Sequence, residues 1–250
     1  MTDNAGIPEP SFQGLTIQQK AAYVRRHFNA IARDYDFMNS VLSLGIHHIW
    51  KRMAVNAMRL EPGNMVIDVC GGTGDLAILA AKAVQTKGRV VIYDINRAMM
   101  EGARVKLDSM TPDGRILMVQ GDAESISFPD HCFDAAMVGF GIRNLTDMAK
   151  GLSEMHRVLK PGGTFMCLEF SEPVNHAFRG LYDFYSFTVM PLLGKLLAGK
   201  SEPYLYLPVT IRKFPKPDEF AGMMSGAGFT QVRYQRLTNG IAVIYKGVRP

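Results

Sequence analysis

The chain has 250 residues, of which 47% are hydrophobic, so it is long enough to bury a sizeable core in one large or two small domains. Its formal net charge of +5 is compatible with an anionic membrane surface or nucleic acid, but it is also common on plain soluble enzymes. The three cysteines are scattered, and without a CxxC or Cys/His cluster they indicate small buried side chains in a reducing compartment rather than zinc or redox chemistry.

The first residues of the chain show no structural pattern. Residues 1–14 carry Gly and Pro without periodicity, which predicts a disordered tail. They are acidic and polar, unlike a secretory signal, and no stretch approaches the roughly 18 uninterrupted apolar residues of a membrane span. We therefore expect a cytoplasmic protein, which would meet any lipid of the inner membrane only from its surface.

A helical region follows the tail. Ala21, Val24, Phe28 and Ile31 recur at spacings of three and four, which places them on one apolar face of a helix. Further helical pattern continues until Pro62-Gly63, a strong turn signal.

Strands and helices then alternate strictly. Short apolar runs predict buried strands, and the segments between them carry helical patterns. The strands are expected at 65–69, 89–95, 115–122, 132–140 and 163–170, and the helices at 74–86, 97–109 and 146–159. This alternation predicts an α/β fold with a doubly wound, mostly parallel sheet.

The end of the chain departs from that alternation. Residues 176–212 read as helix and loop, and a last helix is expected at about 217–227. Two β-rich runs, 229–237 and 240–248, are joined by Thr238-Asn239-Gly240, and Asn-Gly readily adopts the positive φ of a tight turn. The prediction is thus a seven-stranded sheet that ends in an antiparallel hairpin.

A glycine-rich loop, Asp68-Val69-Cys70-Gly71-Gly72-Thr73-Gly74-Asp75, joins the first strand to the first helix of the alternating region. Glycine lets the backbone approach a ligand closely at such a turn, so Gly71, Gly72 and Thr73 are candidate cofactor-binding residues. The loop alone does not exclude a nicotinamide cofactor.

Acidic residues close the next two strands. Asp94 is placed to accept hydrogen bonds from both ribose hydroxyls of an adenosyl group. Asp122 can accept from an adenine amino group while the amide of Ala123 donates to a ring nitrogen. Two structural alternatives remain open: Asp94 could be the N-cap of the following helix, and Asp68 could brace the loop.

Together with the closing hairpin, these features resemble the class I S-adenosylmethionine-dependent methyltransferase fold. Three segments narrow the resemblance to the ubiquinone/menaquinone biosynthesis C-methyltransferase family: residues 35–51 (YDFMNSVLSLGIHHIWK), Gly139 to Asn144 (GFGIRN) and residues 157–171 (RVLKPGG to LEFS). The segment from Tyr182 to Phe187 and the hairpin also fit. Two positions differ, because Gly139 stands where members often have serine and Cys70 where the motif often has glycine.

The resemblance implies S-adenosylmethionine as methyl donor, no metal, and a reduced, lipid substrate: a polyprenylated benzoquinol, a demethylmenaquinol or both. It implies one methyltransferase domain over 15–250, made of a helical cap (15–62), a cofactor-binding core (63–175), a helical insertion or lid (176–216), and the last helix with the hairpin (217–250). Gly139 would contact the cofactor through its backbone only.

The resemblance makes Arg143 and Asn144 the leading catalytic candidates. Arginine is a poor base because its pKa is above ~12, so Arg143 is assigned to stabilising a developing phenolate, with Asn144 orienting the ring hydroxyl. Arg143 could instead tie its loop to the following helix. His47 and His48 are expected to be structural, whereas Tyr35 and Asp36 could close over the cofactor.

Several partners remain open. The insertion is apolar and aromatic, and five basic residues flank it: Lys195, Lys200, Arg212, Lys213 and Lys216. It could be a lid over substrate, a contact with a peripheral membrane surface or an oligomer interface. Contact with other quinone-biosynthesis enzymes and a homo-oligomer are also compatible with the sequence. No interleaved basic and aromatic patch indicates nucleic acid. The alternatives are a methyltransferase for another small molecule and a non-catalytic, cofactor-binding scaffold.

Overall fold

A computed structural model describes residues 17–111, 113–199 and 202–250. The predicted tail and Lys200 lie outside these residues. Seven strands form one sheet, with bounds β1 Met65–Val69, β2 Arg89–Asp94, β3 Ile116–Gln120, β4 Phe133–Gly139, β5 Leu159–Phe170, β6 Thr230–Leu237 and β7 Ala242–Val248. Their order across the sheet is β3-β2-β1-β4-β5-β7-β6, which confirms the predicted fold class.

The sheet is parallel from β3 to β5, and β7 pairs antiparallel with both β5 and β6. The strand order reverses between β1 and β4, and their carboxyl ends lie side by side. Ligands bind at such a reversal in open α/β sheets, because the loops on its two sides diverge and leave a crevice. The fold therefore places the glycine-rich loop and the turn after β4 at one site.

Ten helices with more than one turn occur in the described residues. They are α1 Ile17–Ile31, α2 Tyr35–Leu42, α3 Ile46–Met58, α4 Asp75–Val84, α5 Arg97–Met110, α6 Met148–Val158, α7 His176–Phe184, α8 Met190–Ala198, α9 Glu202–Lys213 and α10 Pro217–Gly226. A π-helical turn joins α7 to α8, and short 3-10 turns follow β4 and β6. No described helix is both long enough and apolar enough to cross a bilayer.

Helices cover both faces of the sheet, because successive strand residues point to opposite sides. On β1, Val66 packs with α3, α4 and α5 on one face, whereas Ile67 packs with α6 and α10 on the other. The interior strands are buried on both faces and therefore appear in the sequence as continuous apolar runs.

Two turns follow the local chemistry that the sequence predicted. Asn239 and Gly240 adopt φ of 55° and 93° between β6 and β7, as the hairpin requires. Before the main part of β5, the Pro161-Gly162 turn bulges out: Leu159 pairs with Phe133, whereas Thr164 pairs with Ala135 two residues later. The structure thus begins β5 four residues earlier than expected and keeps the turn inside it.

The N-terminal helices and the 176–216 segment pack against each other above the carboxyl edge of the sheet. Met38 and Leu42 of α2 form a cluster with Met190 and Tyr204. The hydroxyl of Tyr185 donates to the carbonyl of Leu42 across 2.7 Å. This second layer roofs the crevice at the reversal of strand order.

Candidate active site

Hydrogen bonds from its own backbone amides hold the glycine-rich loop. Gly72 N donates to Oδ2 of Asp94 across 2.8 Å, and Gly74 N donates to the carbonyl of Gly71 across 2.8 Å. Gly72 and Gly74 have φ of 52° and 80°. Cys70 also adopts a left-handed φ, 55°, which explains why glycine suits this position in the motif.

Several positions in and beside the loop are glycine because neighbouring atoms leave little room for a Cβ. A Cβ on Gly71 would lie 3.0 Å from the carboxylate of Asp68, and one on Gly141 would lie 2.5 Å from the Cβ of Cys70. A Cβ on Gly139 would lie 2.4 Å from a methyl group of Leu76, so a larger residue there would require Leu76 to move. The missing side chains leave the backbone open to a ligand.

A pocket of about 840 Å³, its open mouth included, surrounds this loop. We call it the loop pocket, and its walls come from the ends of β1, β2 and β4 and from the roof helices. They include Phe28, Tyr35, Lys51, Asp68, Cys70, Gly71, Gly72, Thr73, Asp94, Asn96, Gly139 and Asn144. The loop pocket thus brings together five of the predicted cofactor residues and Asn144.

A second pocket, the side pocket, adjoins the first and shares Asp94 and Asn144 with it. Asp122 and Ala123 line the side pocket. The Asp122 Oδ1 atom accepts from Glu124 N across 2.9 Å, which fixes this carboxylate at the end of β3. Both predicted adenine-side residues therefore lie next to the loop pocket.

Asp94 is nearly buried, and backbone amides bind both of its oxygens. Besides the bond from Gly72, Oδ1 accepts from Asn96 N across 2.7 Å. The alternative that Asp94 caps the next helix is wrong, because the N-cap of α5 is Asn96, whose side chain accepts from Met99 N. The side-chain nitrogen of Asn96 also donates to Asn29, which anchors α1 beside the pocket.

Asp68 lies under the loop with neither carboxylate oxygen hydrogen-bonded to a described residue. Burial raises the pKa of this carboxyl to about 8. An unsatisfied buried acid on a pocket wall indicates that a donor or a cation belongs beside it. The cationic groups of S-adenosylmethionine, its ammonium and sulfonium, meet that requirement, so the residues fit this cofactor.

Ion pairs fasten the roof to the loop. Asp36 of α2 accepts from Thr73 Oγ1 across 2.6 Å and from Lys106 Nζ across 2.7 Å. Lys106 and Lys51 also bind the two oxygens of Asp75, at 2.6 and 2.7 Å. Although burial opposes its charge, these two ammonium groups hold the pKa of Asp75 below its usual range. These contacts hold Asp36 at the loop and Tyr35 lines the loop pocket, while their closure over the cofactor stays a prediction.

His47 and His48 converge with Asp75, and one possible ligand atom from each lies within 4.8 Å of the others. The donor set is poor for a cation because Lys51 and Lys106 already occupy both oxygens of Asp75. The Nε2 atoms of both histidines hydrogen-bond to Ser40 Oγ, at 3.2 and 3.3 Å. These contacts agree with the structural role expected for the histidines.

A third pocket of about 700 Å³, the aromatic pocket, lies between the sheet edge and helices α1, α2 and α9. Its lining includes His27, Phe28, Ile31, Tyr35, Met38, Leu42, His47, Lys51, Phe140, Arg143, Phe170, Tyr204, Tyr206 and Leu207. Phe28, Tyr35, Lys51 and Phe140 line both this pocket and the loop pocket. The two pockets therefore adjoin each other at these shared side chains.

Arg143 lines the aromatic pocket and pairs with Glu169 at the end of β5. Its Nη1 lies 2.9 Å from Oε2 and 3.1 Å from Oε1 of Glu169, and it also donates to the carbonyl of Phe140 across 2.5 Å. Burial opposes the guanidinium charge, but the Glu169 carboxylate outweighs it and raises the pKa of Arg143. Arg143 is thus tied to β5 and not, as the structural alternative proposed, to the following helix.

Asn144 is adjacent to Arg143 in the chain but lines the loop pocket and the side pocket instead. Its Oδ1 accepts from the hydroxyl of Tyr206 across 2.8 Å. The structure therefore divides the predicted catalytic pair between two pockets.

Several residues in or around the site were not singled out as site residues from the sequence. Lys106 lies mid-helix in a pattern that signals only amphipathicity, and Tyr206 lies in an apolar insertion where aromatic side chains usually form core. Asn96 could have been found, because asparagine two residues after a strand and before a helical pattern is a typical N-cap. Glu169 lies inside a quoted signature, but only its burial beside Arg143 reveals its role.

The profile of the ubiE/COQ5 methyltransferase family matches residues 16–249. The ubiquinone/menaquinone biosynthesis C-methyltransferase UbiE of Stutzerimonas stutzeri is 41% identical over 239 residues, which cover 96% of this chain and 93% of that protein.

Among solved structures, a SAM-dependent methyltransferase of Thermotoga maritima, described as a possible histamine N-methyltransferase, matches with a TM-score of 0.64. It is 18% identical, over 91% of this chain and all of that one. The [4+2]-cyclase SpnF matches with a TM-score of 0.65 and 14% identity over 98% of both chains. At these identities the structural matches show the fold alone, and a cyclase on the same fold underlines that chemistry depends on the site.

Proposed function

Because the chain belongs to the ubiE/COQ5 methyltransferase family, we propose that it transfers a methyl group from S-adenosylmethionine to a ring carbon of a benzoquinol, a demethylmenaquinol or both. The observation that carries the proposal is the contact between two pockets. The loop pocket has the glycine backbone and the buried acids that suit the methyl donor, and the aromatic pocket adjoins it through four shared side chains.

The methyl donor would be held by the residues of the loop and side pockets. S-adenosylmethionine supplies a methyl group activated by attachment to a sulfonium. Asp68 would accept from its ammonium, and the amides of Gly71, Gly72 and Thr73 would border its amino-acid part. Asp94 would accept from the ribose hydroxyls, with Asp122 and Ala123 on the adenine side. The backbone of Gly139 would complete the wall.

The aromatic pocket would hold the substrate ring. Its carbon nucleophile requires a reduced quinol, since a quinone ring is electron-poor and a quinol becomes more reactive as a hydroxyl loses its proton. Arg143 would stabilise the developing phenolate, because a fixed cation in a pocket shielded from water interacts strongly with new negative charge. Glu169 holds the guanidinium in place.

Three other wall residues leave this role to Arg143. Burial lowers the pKa of both His27 and His47 to about 4, so both imidazoles are neutral at pH 7. Lys51 is paired with Asp75. Ring methylation releases one proton overall, which a water molecule could accept.

Turnover of a short-chain quinol under reducing conditions tests the function. We expect the substrate to gain one methyl group on a ring carbon, located by NMR, with equal formation of S-adenosylhomocysteine. Cofactor binding by calorimetry without any turnover would instead favour the scaffold. Quinones extracted from a deletion strain would identify the missing step, because the unmethylated intermediate accumulates there.

We also propose a contact with an anionic membrane surface through the 176–216 segment, since the substrate implied for this family partitions into lipid. Large apolar side chains are exposed on α7 and α8, namely Leu181, Phe184, Leu192, Leu196 and Leu197. Lys195, which lies among them, and Lys213, the last residue of α9, supply positive charge. The same apolar side chains would serve a homo-oligomer or a quinone-biosynthesis enzyme, which are the alternative occupants.

A further inference from the structure

A hydrogen bond between Tyr206 and Asn144 crosses from one pocket to another. Tyr206 belongs to α9 and lines the aromatic pocket, whereas Asn144 lines the loop and side pockets. The Tyr206 hydroxyl donates to Oδ1 of Asn144 across 2.8 Å. Tyr206 is 2% exposed, and burial raises its pKa to about 12, so this hydroxyl keeps its proton at neutral pH.

This bond fixes the orientation of the Asn144 side chain. An amide presents its oxygen and its NH2 group on opposite sides, so an oxygen held by Tyr206 turns the two N–H donors away from α9. No described residue accepts a hydrogen bond from these donors. Because Asn144 lines the loop pocket, they are available to a ligand there.

We propose that Tyr206 is a positioning residue for the methyl donor: by holding Oδ1 of Asn144, it directs the NH2 group of Asn144 toward an acceptor atom of S-adenosylmethionine. The inference rests on the proposed function, which places the cofactor in the loop pocket. It reassigns Asn144 from the ring hydroxyl of the substrate to the cofactor.

The arrangement couples the two ligands. The Tyr206 ring packs against His27 at a tilt, with ring centroids 4.2 Å apart, so the ring is held by the wall of the aromatic pocket. A substrate that packs against Tyr206 restricts the same hydroxyl that orients Asn144. Such coupling is reciprocal, so the substrate tightens cofactor binding as much as the cofactor tightens substrate binding.

A double-mutant cycle on cofactor affinity, measured by calorimetry without substrate, tests the proposal. Loss of one neutral hydrogen bond corresponds to about three- to tenfold in affinity, so Tyr206→Phe should raise the dissociation constant by that factor. Asn144→Leu should raise it at least as much, and the double variant should match Asn144→Leu alone. Tyr234→Phe is the matched control, because its hydroxyl binds Asp218 at the surface and should not affect affinity.

The cycle has two outcomes that overturn the proposal. Unchanged affinity in Tyr206→Phe would show that the hydroxyl does not position the cofactor site. If the dissociation constant of the double variant rose by the product of the two single effects, the residues would act independently. Thermal unfolding confirms that each variant is folded. If the wild type binds cofactor but methylates no quinol, the proposed function fails while the cycle still decides the role of Tyr206.

Discussion

The guanidinium of Arg143 and the carboxylate of Glu169 form a buried ion pair at the carboxyl edge of the sheet, with Nη1 2.9 Å from Oε2. Glu169 also accepts from its neighbour Phe170 N across 2.9 Å. The pair joins the turn after β4 to the end of β5, and its arginine lines the aromatic pocket. It therefore links the stability of the fold to the proposed chemistry.

Removal of Arg143 should affect both the stability of the fold and the rate of methyl transfer. Arg143→Ala leaves the Glu169 charge buried and unpaired, so we expect a loss of roughly 3–5 kcal/mol in the free energy of unfolding, measured with denaturant at pH 7.5. The double variant Arg143→Met/Glu169→Gln should recover much of that stability, since no buried charge remains. It should still turn over quinol at least tenfold more slowly than wild type while binding cofactor nearly as tightly. Normal turnover by a folded Arg143 variant would remove the phenolate role.

Asp94 should govern cofactor affinity. Its carboxylate would bind the ribose hydroxyls while it holds Gly72 N, so Asp94→Ala removes a charge-assisted contact and a loop anchor together. Loss of such a bond costs about 1.5–3 kcal/mol, which corresponds to a roughly ten- to hundredfold higher dissociation constant. Calorimetry measures this change. The surface variant Asp113→Ala should bind normally, and an unchanged constant for Asp94→Ala would place the ribose elsewhere.

Asp68 should couple stability to pH. Because burial raises its folded pKa to about 8, the native state holds a proton that the unfolded chain, with a pKa near 4, has lost. This contribution to stability is complete below pH ~4 and is lost as pH rises toward 8. Asp68→Asn should therefore flatten the fall in unfolding free energy of the cofactor-free protein between pH 5 and 8. An equally steep profile in the variant would contradict the assignment.

The same carboxyl should release a proton when the cofactor binds. The cofactor ammonium favours the ionised form of Asp68, so binding near pH 7 should expel its proton into the buffer. Calorimetric titrations in two buffers of different ionisation enthalpy measure that proton. Asp68→Asn should reduce the release, and an equal release from both proteins would show that the ammonium lies elsewhere.

The exposed apolar side chains of α7 and α8 should mediate membrane binding. We expect co-sedimentation with anionic vesicles that falls as salt rises, since each basic residue near the surface contributes about 1 kcal/mol. Reversing the charge of Lys195, Lys200 and Lys213 should weaken it, and so should Leu192→Ser with Leu196→Ser. Lys82→Glu, on α4, is the charge control. If the wild type does not co-sediment with anionic vesicles at low salt, an oligomer contact or a partner protein becomes the better explanation for these exposed side chains. Light scattering would reveal the oligomer.

The sequence by itself determined the elements and the cofactor loop. Apolar runs of strand length and helical spacing are local patterns, so the strands of the core, the hairpin turn at Asn239-Gly240 and the sheet class could all be predicted. The loop at Gly71–Thr73 and the acids at the ends of β2 and β3 followed from their positions after strands. Their side-by-side arrangement is a general property of parallel sheets, since the carboxyl ends meet at one edge.

Only the tertiary structure decided which residues share a pocket. Arg143 and Asn144 are consecutive, yet one lines the aromatic pocket and the other the loop pocket, because successive side chains of a 3-10 turn are about 120° apart. Their partners, Glu169 and Tyr206, lie 26 and 62 positions further along the chain. Asp36 and Lys106 likewise meet across 70 positions. Such pairings depend on how helices pack over the sheet edge, and no local periodicity in the sequence encodes that packing.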